Sequence, residues 1–298
     1  MIRHYDLCLT WYWKYDADFV RLLEAACRER QLTFLQVTPE SIEQVLTELA
    51  AGRLTFGAHF DFSMHDVRFE ALFRWVRERG IQRINPPEIG DWAEDKATMH
   101  LELISAGIQT PYTIILPPFN EQANLPLVDL SPLGKHFVIK PSYGGGSEGV
   151  ILNATSLGQA YQARHQFPHL KYLLQEQVQP RDLEGRQAWF RVIYCAGQFY
   201  PCWWDTCTHI YVPASADEQA RFGLYRLKEI TARIAQVCRL DFFSTEITQT
   251  LDGRWVAIDY VNDQIDLRLQ SKYRDGVPDA IVAHVAADLA DLVIYQKT

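Results

Sequence analysis

The glycine-rich segment in the middle of the chain limits its possible folds more than any other feature. An apolar run that starts at Phe137 ends at Lys140 and a proline, residues 144–147 read Gly-Gly-Gly-Ser, and a second apolar run follows Gly149. Consecutive glycines accept positive φ angles and let backbone N–H groups approach anionic oxygens closely. Lys140 adds a fixed positive charge beside them. The segment predicts two strands joined by a loop that either covers a polyphosphate or is an ordinary glycine-rich turn beside an exposed lysine.

The glycine segment differs from two common phosphate-binding motifs. The P-loop pattern GxxxxGK[ST] is absent, and no helical pattern begins directly after the glycines. The segment is not the Rossmann fingerprint either.

Glu246 and Asp259 are predicted to face each other across two antiparallel strands. Residues 242–250 and 255–261 read as strands, and the Asp-Gly pair at 252–253 reads as the turn between them. Pairing about that turn puts Glu246 opposite Asp259, with Cβ atoms about 5 Å apart. Two carboxylates this close repel each other unless a divalent cation lies between them, and Mg²⁺ requires such hard oxygen ligands. The pair therefore predicts a metal site.

Asn262 is the candidate third ligand, because its neutral amide oxygen follows Asp259 closely in the sequence. Asp263 and Asp266 are competing ligands that the sequence leaves open. The structural alternatives are a Glu246 that faces solvent beside a lysine and an Asp259 that caps a loop.

The first third of the chain alternates short apolar runs with amphipathic stretches, which is the pattern of strands crossed over by helices. Its second helix is predicted to open with the capping pair Ser41 and Gln44. Pro86 and Pro87 interrupt the pattern and indicate a lobe boundary. The predicted strands of this part are 5–10, 32–37 and 54–59, its helices are 16–30, 41–51 and 69–79, and longer helices are predicted at 91–106 and 218–239.

Composition narrows the class of protein. A chain of 298 residues with 48% hydrophobic content can bury a large core. Its net charge of −8 argues against a broad basic surface that holds nucleic acid. The start has no signal-peptide pattern and no apolar stretch reaches the roughly 18 residues of a membrane span, so we expect a cytoplasmic protein without a membrane partner. The dispersed cysteines predict reduced thiols, and the alternative is a zinc site at Cys202 and Cys207 with His209 as the only close further ligand.

Taken in order, these motifs resemble the ATP-grasp superfamily, to which D-alanine:D-alanine ligase, glutathione synthetase and the ribosomal-protein glutamate ligase belong. The resemblance covers about residues 85–265. Each piece is short, but their order and spacing are specific because independent matches multiply. The matching segments are Ile84-Asn85-Pro86, Asp95-Lys96, 107–113, 137–150, 173–178, Arg191, and the acid, acid and asparagine set Glu246, Asp259 and Asn262.

The resemblance implies an α/β (α+β) ATP-grasp fold with ATP and Mg²⁺ as cofactors and Mn²⁺ as the alternative ion. The implied parts are an N-terminal parallel-sheet domain at 1–85, a small lobe with the glycine loop at 86–180, and a large lobe with the metal site at 181–298. Asp182 or Glu184 is the implied ribose ligand. Lys140 and Arg191 are implied as catalytic, Glu176, Gln177 and Val178 as adenine ligands, Glu246, Asp259 and Asn262 as metal ligands, and Lys96, Lys140, Gly144, Gly145, Gly146, Ser147 and Gly149 as phosphate ligands.

The implied reaction joins a small-molecule carboxylate to an amine or a thiol. The carboxylate attacks the γ-phosphate of ATP to give an acyl phosphate, and the nucleophile then displaces phosphate. The loop at 144–149 would act as a lid that excludes water. The two alternatives are a kinase that phosphorylates a hydroxyl and a nucleotide-binding protein without turnover. A homodimer is the default expectation for the oligomeric state.

One spacing departs from the family pattern. The family has Glu-x-Asn with both side chains on one face of a strand, whereas Asp259-Tyr-Val-Asn262 inserts one residue. Strict alternation would point Asp259 and Asn262 to opposite faces, so we expect a bulge or a strand end between them.

Two segments are candidates for the acceptor site. Trp203, Trp204 and the polar residues after them lie between the arginine strand and the metal strands, where they either stack on a substrate or pack into the core. Arg268 and the polar residues that follow it either bind a substrate carboxylate or form a solvated loop.

Overall fold

The computed structural model describes residues 2–295, and these begin with a parallel sheet. Its strand order is β2-β1-β3-β4, and all neighbours are parallel. Leu7 and Leu9 pack on one face of this sheet, and Cys8 between them packs on the other face, so the sheet is covered on both sides. The elements are β1 Arg3–Trp11, α1 Ala17–Glu29, β2 Phe34–Val37, α2 Ile42–Ala50, β3 Leu54–Phe62, α3 Glu70–Glu78 and β4 Gln82–Ile84.

A second sheet is antiparallel and carries the glycine loop. Its strand order is β5-β8-β6-β7, and the loop joins β6 to β7. Two helices precede the sheet in the sequence. The elements of this part are α4 Pro87–Glu94, α5 Lys96–Ser105, β5 Thr113–Leu116, β6 Phe137–Pro141, β7 Ile151–Ala154, α6 Leu157–Ala163 and β8 Tyr172–Glu176.

The third sheet is also antiparallel and has the order β13-β12-β11-β14-β15. Alternate residues of β11 point to opposite faces: Phe190 and Val192 pack beside α8, whereas Ile193 packs toward α9 and the first sheet. Arg191 shares the face of Ile193. The elements are β9 Asp182–Leu183, β10 Arg186–Gln187, β11 Trp189–Cys195, β12 Gln198–Trp204, β13 Tyr211–Pro213, α7 Ala216–Arg221, α8 Tyr225–Cys238, β14 Phe242–Gln249, β15 Trp255–Asn262 and α9 Asp279–Tyr295.

The two long predicted helices are each broken, which corrects the sequence-based assignment. The helix predicted at 91–106 is interrupted at Asp95, whose extended backbone (φ −65°, ψ 100°) starts α5 and whose carboxylate accepts the Thr98 N–H at 2.7 Å. The helix predicted at 218–239 is interrupted around Gly223, which has φ 66° and separates α7 from α8.

The capping pair predicted at the start of α2 is also wrong. Ser41 precedes the helix but its side chain makes no cap hydrogen bond to the helix. Its hydroxyl instead accepts the Thr38 N–H at 2.9 Å and donates to the Thr38 carbonyl at 3.3 Å. The hydroxyl therefore stabilises the turn before the helix.

The division at 85 and 180 stays a prediction, and two elements pack across it. Met99 of α5 lies in a core with Ile234 of α8 and Tyr260 of β15. The C-terminal helix α9 packs on α1, where Arg30 donates to both carboxylate oxygens of Asp291 at 2.6 and 2.8 Å. Between residues 2 and 295, no helix has the length and apolar content needed to cross a membrane.

Candidate active site

The second and third sheets line a common cavity of about 640 Å³. A cavity of this size suits a small-molecule ligand or cofactor. Thirteen of the predicted site residues line it: Lys96, Lys140, Gly144, Gly145, Gly146, Ser147, Glu176, Gln177, Val178, Arg191, Glu246, Asp259 and Asn262.

Lys140 is buried at the end of β6, with 7% of its surface exposed. Its Nζ donates to the carbonyl of Ile258 on β15 at 3.1 Å, so the lysine bridges the second and third sheets. Burial lowers the pKa of Lys140 to about 8, although the charge of Asp259 acts in the opposite direction. The Lys140 ammonium group therefore lies at the cavity with a charge that Asp259 balances only in part.

Lys96 connects the glycine loop to the acidic strands. The N–H of this residue, the first of α5, donates to the Ser142 carbonyl at 2.6 Å, and its Nζ donates to the Gly144 carbonyl at 2.8 Å. The same Nζ lies 3.8 Å from Oδ1 of Asp259. Three segments that are far apart in the sequence thus meet around one ammonium group.

Glu246 and Asp259 are directly opposite each other, as predicted, but the turn is not the reason. Near the turn Ile247 pairs with Ala257, which is one residue out of register with the pair 246 and 259. A bulge in β15 at Ile258 restores the register. It also leaves Ile258 without a partner on β14, and its carbonyl is the one that accepts from Lys140.

A second bulge resolves the spacing of Asp259 and Asn262. Asn262 pairs with Ser244, and Asp259 pairs with Glu246. Because Ser244 and Glu246 are two residues apart on one strand, their partners share a face. The expected bulge is present, and both side chains line the cavity.

The two carboxylates titrate differently because their neighbours differ. Burial raises the pKa of Glu246, with Arg191 Nη1 at 3.6 Å acting against it. Burial also tends to raise the pKa of Asp259, but the charges of Lys96 and Lys140 outweigh it and lower the pKa. Trp189 donates its indole N–H to Glu246 Oε2 at 2.9 Å and fixes that carboxylate.

The donor set fits a Mg²⁺ ion. Asp259 Oδ1 and the Asn262 amide nitrogen are both buried without a hydrogen-bond partner. A 180° rotation of the Asn262 amide group exchanges its oxygen and nitrogen positions. Asn262 can therefore direct its amide oxygen to the place where its nitrogen now lies. Within residues 2–295 no three His, Cys, Asp or Glu side chains form a metal site, so Glu246 and Asp259 need the amide and ligand oxygens to complete a coordination shell. Cys202, Cys207 and His209 form no zinc site either.

Arg191 is fixed on the floor of the cavity. Its Nε donates to the Ser244 hydroxyl at 3.1 Å, and its guanidinium lies 4.9 Å from the ring centroid of Trp204 and 5.9 Å from that of Tyr211. Burial tends to lower the pKa of Arg191, but Tyr211 and Glu246 outweigh it and raise the pKa. The side chain is therefore a permanent, oriented positive charge.

The glycine loop has the backbone that its sequence predicts. Gly144, Gly146 and Ser147 have φ angles of 120°, 60° and 61°. Gly149 does not line the cavity. Gly149 has φ 72°, and a Cβ atom on it would lie 2.9 Å from the ring of Phe167, so both the backbone conformation and close packing favour glycine at the end of the loop.

The residues predicted to bind adenine line the cavity, whereas those predicted to bind ribose do not. Glu176 ends β8 beside Tyr112, which accepts the Glu176 N–H at 2.8 Å and donates its own N–H to the Glu176 carboxylate at 3.2 Å. Asp182 and Glu184 lie outside the cavity, in the β9–β10 hairpin. Asp182 accepts the Gly185 N–H, and Glu184 pairs with Arg221, so nothing supports their prediction as ribose ligands.

Sequence reasoning missed Trp189 and Asp275, which both line the cavity. Trp189 precedes Arg191 by two residues and shares its face of β11, so the period of a strand could have identified it. Asp275 lies in the segment between β15 and α9, and no pattern in the sequence indicates that it meets Arg268.

Comparison with solved structures decides the fold. A RimK domain ATP-grasp protein from Sphaerobacter thermophilus matches with a TM-score of 0.64 at 17% identity, over 96% of this chain and 99% of that chain. The chain has the ATP-grasp fold. D-alanine–D-alanine ligase from Bacillus anthracis complexed with ATP matches the same ATP-grasp fold with a TM-score of 0.66 at 12% identity, over 97% of this chain and 96% of that one. The ATP-grasp ligase PsnB complexed with its precursor peptide PsnA2 and AMPPNP matches with a TM-score of 0.66 at 14% identity, over 100% and 99%. No family model and no curated protein sequence matches the chain.

Proposed function

We propose that the chain is an ATP-dependent ligase that joins a carboxylate to an amine or a thiol and releases ADP and phosphate. One observation carries the proposal: Lys96 and Lys140 line the same cavity as Glu246 and Asp259, with Lys96 Nζ 3.8 Å from Asp259 Oδ1. Lysines and carboxylates that meet in this way can hold a metal–triphosphate complex between them. Two of the matched solved structures, D-alanine–D-alanine ligase and PsnB, are ligases.

In this proposal the nucleotide lies along the cavity from β8 to β15. The chain at Glu176, Gln177 and Val178 would contact adenine, and the two lysines and the loop N–H groups at 144–147 would contact the phosphates. Glu246, Asp259 and Asn262 would hold Mg²⁺, or Mn²⁺, which neutralises charge on the phosphate oxygens when bound.

The proposed chemistry has two steps. A carboxylate oxygen of the substrate attacks the γ-phosphorus, the bond to the β-phosphate oxygen breaks, and an acyl phosphate forms. The nucleophile then attacks the acyl carbon, and phosphate leaves with the electron pair of the C–O bond. Arg191 and Lys140 supply fixed positive charge for the phosphoryl oxygens without reorganisation. The glycine loop covers the acyl phosphate against water.

The bulge between Asp259 and Asn262 weakens the alternative of a protein without turnover. That alternative depended on the extra residue, which would separate the two side chains. Because both residues line the cavity together, the inserted residue does not remove the asparagine from the site. The predictions of a cytoplasmic location, of no nucleic-acid or membrane partner and of a homodimer stay predictions.

The test is release of ADP and phosphate from ATP and Mg²⁺, screened over pairs of small carboxylates and amines. We expect release only when both substrates are present, and a drop of about a hundredfold in Glu246→Gln, because the variant loses one charged ligand. Asp182→Asn is the matched control, since that carboxylate lies outside the cavity.

Isotope labelling separates the ligase from the kinase. A carboxylate labelled with ¹⁸O should transfer one labelled oxygen to the released phosphate if an acyl phosphate forms. A phosphorylated hydroxyl product without amide would favour the kinase. ATP that stays intact with every pair, or equal rates in parent and Glu246→Gln, would contradict the proposed function.

A further inference from the structure

The start of α5 holds the residues on both sides of Tyr143, at the base of the glycine loop. Lys96 donates its N–H to the Ser142 carbonyl at 2.6 Å and its Nζ to the Gly144 carbonyl at 2.8 Å. The Ser142 hydroxyl donates to Asp95 Oδ2 at 3.2 Å. Tyr143 does not line the cavity, so its side chain can affect a ligand there only through the loop that follows it.

The hydroxyl of Tyr143 is directed at two carboxylates of α4. It lies 3.0 Å from Glu94 Oε2 and 3.4 Å from Asp91 Oδ1. A phenol has one proton to donate, and the shorter distance favours Glu94 as its acceptor. The Asp91 side chain is 62% exposed, so water can replace the longer contact. Burial, and then the charge of Glu94, raises the pKa of Tyr143, so the phenol keeps its proton.

Glu94 is a half-buried carboxylate that depends on this hydroxyl. Its Oε2 accepts from Tyr143, and its Oε1 accepts the N–H of Asp263, directly after β15, at 3.3 Å. Burial raises the pKa of Glu94, and both hydrogen bonds act against that rise. Movement of Tyr143 away from α4 would take one donor from a carboxylate that is partly shielded from water, which costs free energy. The contact therefore stabilises the position of the loop base seen in the structure.

The part of the glycine loop beyond this contact is exposed and has glycine at both ends. Residues 145–148 form a turn in which the Glu148 N–H donates to the Gly145 carbonyl at 3.2 Å. Gly144 and Gly149 flank them with φ angles of 120° and 72°, which glycine adopts without strain. The loop can therefore turn about its two ends, and the hydroxyl contact lies directly before the first of them.

We propose that Tyr143 and Glu94 form a latch that holds the glycine loop closed over a bound nucleotide. The inference deepens the proposed function and rests on it. Residues 144–147 line the cavity while Tyr143 is held, and the nucleotide leaves after the hydroxyl parts from Glu94 and the loop opens. Both are positioning residues, because neither lines the cavity.

Release of a fluorescent ADP measures the opening of the loop. The protein is loaded with N-methylanthraniloyl-ADP and Mg²⁺, and rapid mixing with excess unlabelled ADP gives the dissociation rate. Tyr143→Phe keeps the ring and removes the hydroxyl. We expect this variant to release the labelled ADP about tenfold faster, because a hydrogen bond to a charged group no longer holds the loop closed.

A second variant tests whether the two side chains act through one contact. Glu94→Gln keeps an acceptor oxygen and loses the charge, so its release rate should lie between those of the parent and Tyr143→Phe. When both substitutions are combined, the rate should match that of Tyr143→Phe alone, because one contact can be lost only once.

Two controls separate the latch from general damage. Tyr161→Phe removes the hydroxyl of a tyrosine with the same exposure, 40% against 38% for Tyr143, that belongs to α6 and does not line the cavity. It should leave the release rate unchanged. Asp91→Asn should change the rate by less than about twofold, because an exposed contact contributes little. Urea denaturation should give the same midpoint for the parent and Tyr143→Phe.

Three results would overturn the inference: equal release rates in the parent and Tyr143→Phe, effects of the two latch substitutions that multiply when combined, or a Tyr161→Phe variant that speeds release as much as Tyr143→Phe. A parent that bound neither labelled nor unlabelled ADP with Mg²⁺ would contradict the proposed function, and the latch with it. ADP that binds and leaves at an unchanged rate would contradict the latch alone, so the two failures are distinguishable.

Discussion

Lys140 carries a charge whose presence depends on pH. Burial lowers the pKa of this lysine to about 8, so its ammonium form dominates below that value and its neutral form above it. If Lys140 contacts phosphate, affinity for ADP and Mg²⁺ should be constant at lower pH and should fall about tenfold for each unit above about pH 8. Calorimetric titrations across this range check the expectation.

Two variants make the pH profile specific to this residue. Lys140→Met should bind ADP weakly and with a flat profile, since it has no proton to lose. Lys171→Met removes an exposed lysine next to β8 and should keep the parent profile. A parent profile that is flat through pH 8, or one that survives in Lys140→Met, would show that this ammonium group does not bind phosphate.

At the scale of residues, the sequence identifies side chains whose role follows from their own chemistry or from their spacing within one short segment. Lys140 and the glycines were identifiable as candidates because consecutive glycines beside a lysine suit an anionic ligand, although the pattern also fits an ordinary glycine-rich turn. The pairing of Glu246 with Asp259 was predicted from the turn and is present, although it depends on a bulge that the turn does not determine. Asp275 was not identifiable, since its pairing with Arg268 depends on how the segment before α9 folds.

The break between α4 and α5 shows how one side chain can position an element. Asp95 Oδ1 accepts the Thr98 N–H at 2.7 Å, and Oδ2 accepts from the Ser142 hydroxyl at 3.2 Å. The first bond begins α5 with Lys96, and the second ties that start to the strand before the glycine loop. Asp95 thus sets both the start of the helix and the place of its first lysine.

Asp95→Ala should lower the free energy of unfolding by about 1–2 kcal/mol, the usual cost of a lost N-terminal cap. It should also weaken ADP binding, because the Asp95 carboxylate would no longer hold the start of α5, where Lys96 lies. Urea denaturation and calorimetry measure the two effects. Asp129→Ala is the control: Asp129 accepts the Ser131 N–H at 2.9 Å in a short 3-10 turn and does not line the cavity. Normal ADP affinity in Asp95→Ala would contradict the positioning role.

The sequence predicts helices and strands correctly where their bounds follow from the local spacing of apolar residues. It fails where a contact with a residue far away in the sequence ends an element. The alternation of strands and helices in the first 84 residues is seen in the parallel sheet β2-β1-β3-β4. The break at Asp95 was missed because apolar spacing continues through it, and the partner that favours the break, Ser142, is 47 residues away. The bulges of β15 were invisible for the same reason, apart from the one required by the Asp259 to Asn262 spacing.

Across the whole molecule, the first sheet and the third sheet are joined at Asn85. This residue follows β4, is 2% exposed and has φ 48°. Its Oδ1 accepts the N–H groups of Asp241 and Phe242 at 2.9 and 3.1 Å, and its Nδ2 donates to Asp263 Oδ1 at 2.9 Å and to the Phe242 carbonyl. One amide therefore connects the segment after β4 to the start of β14 and to the segment after β15.

Asn85→Gly should separate these connections from backbone strain. Glycine accepts the positive φ, so the variant loses only the side-chain bonds, and the groups left buried without partners should cost about 3 kcal/mol in urea denaturation. Asn153→Gly is matched, because Asn153 also has a positive φ of 56° but is exposed and accepts one side-chain bond from Gln177 at 3.1 Å. Its loss should stay below about 1 kcal/mol. Equal losses in the two variants would mean that the junction at Asn85 does not hold the lobes together, and the packing of α9 on α1 would then be the main connection between them.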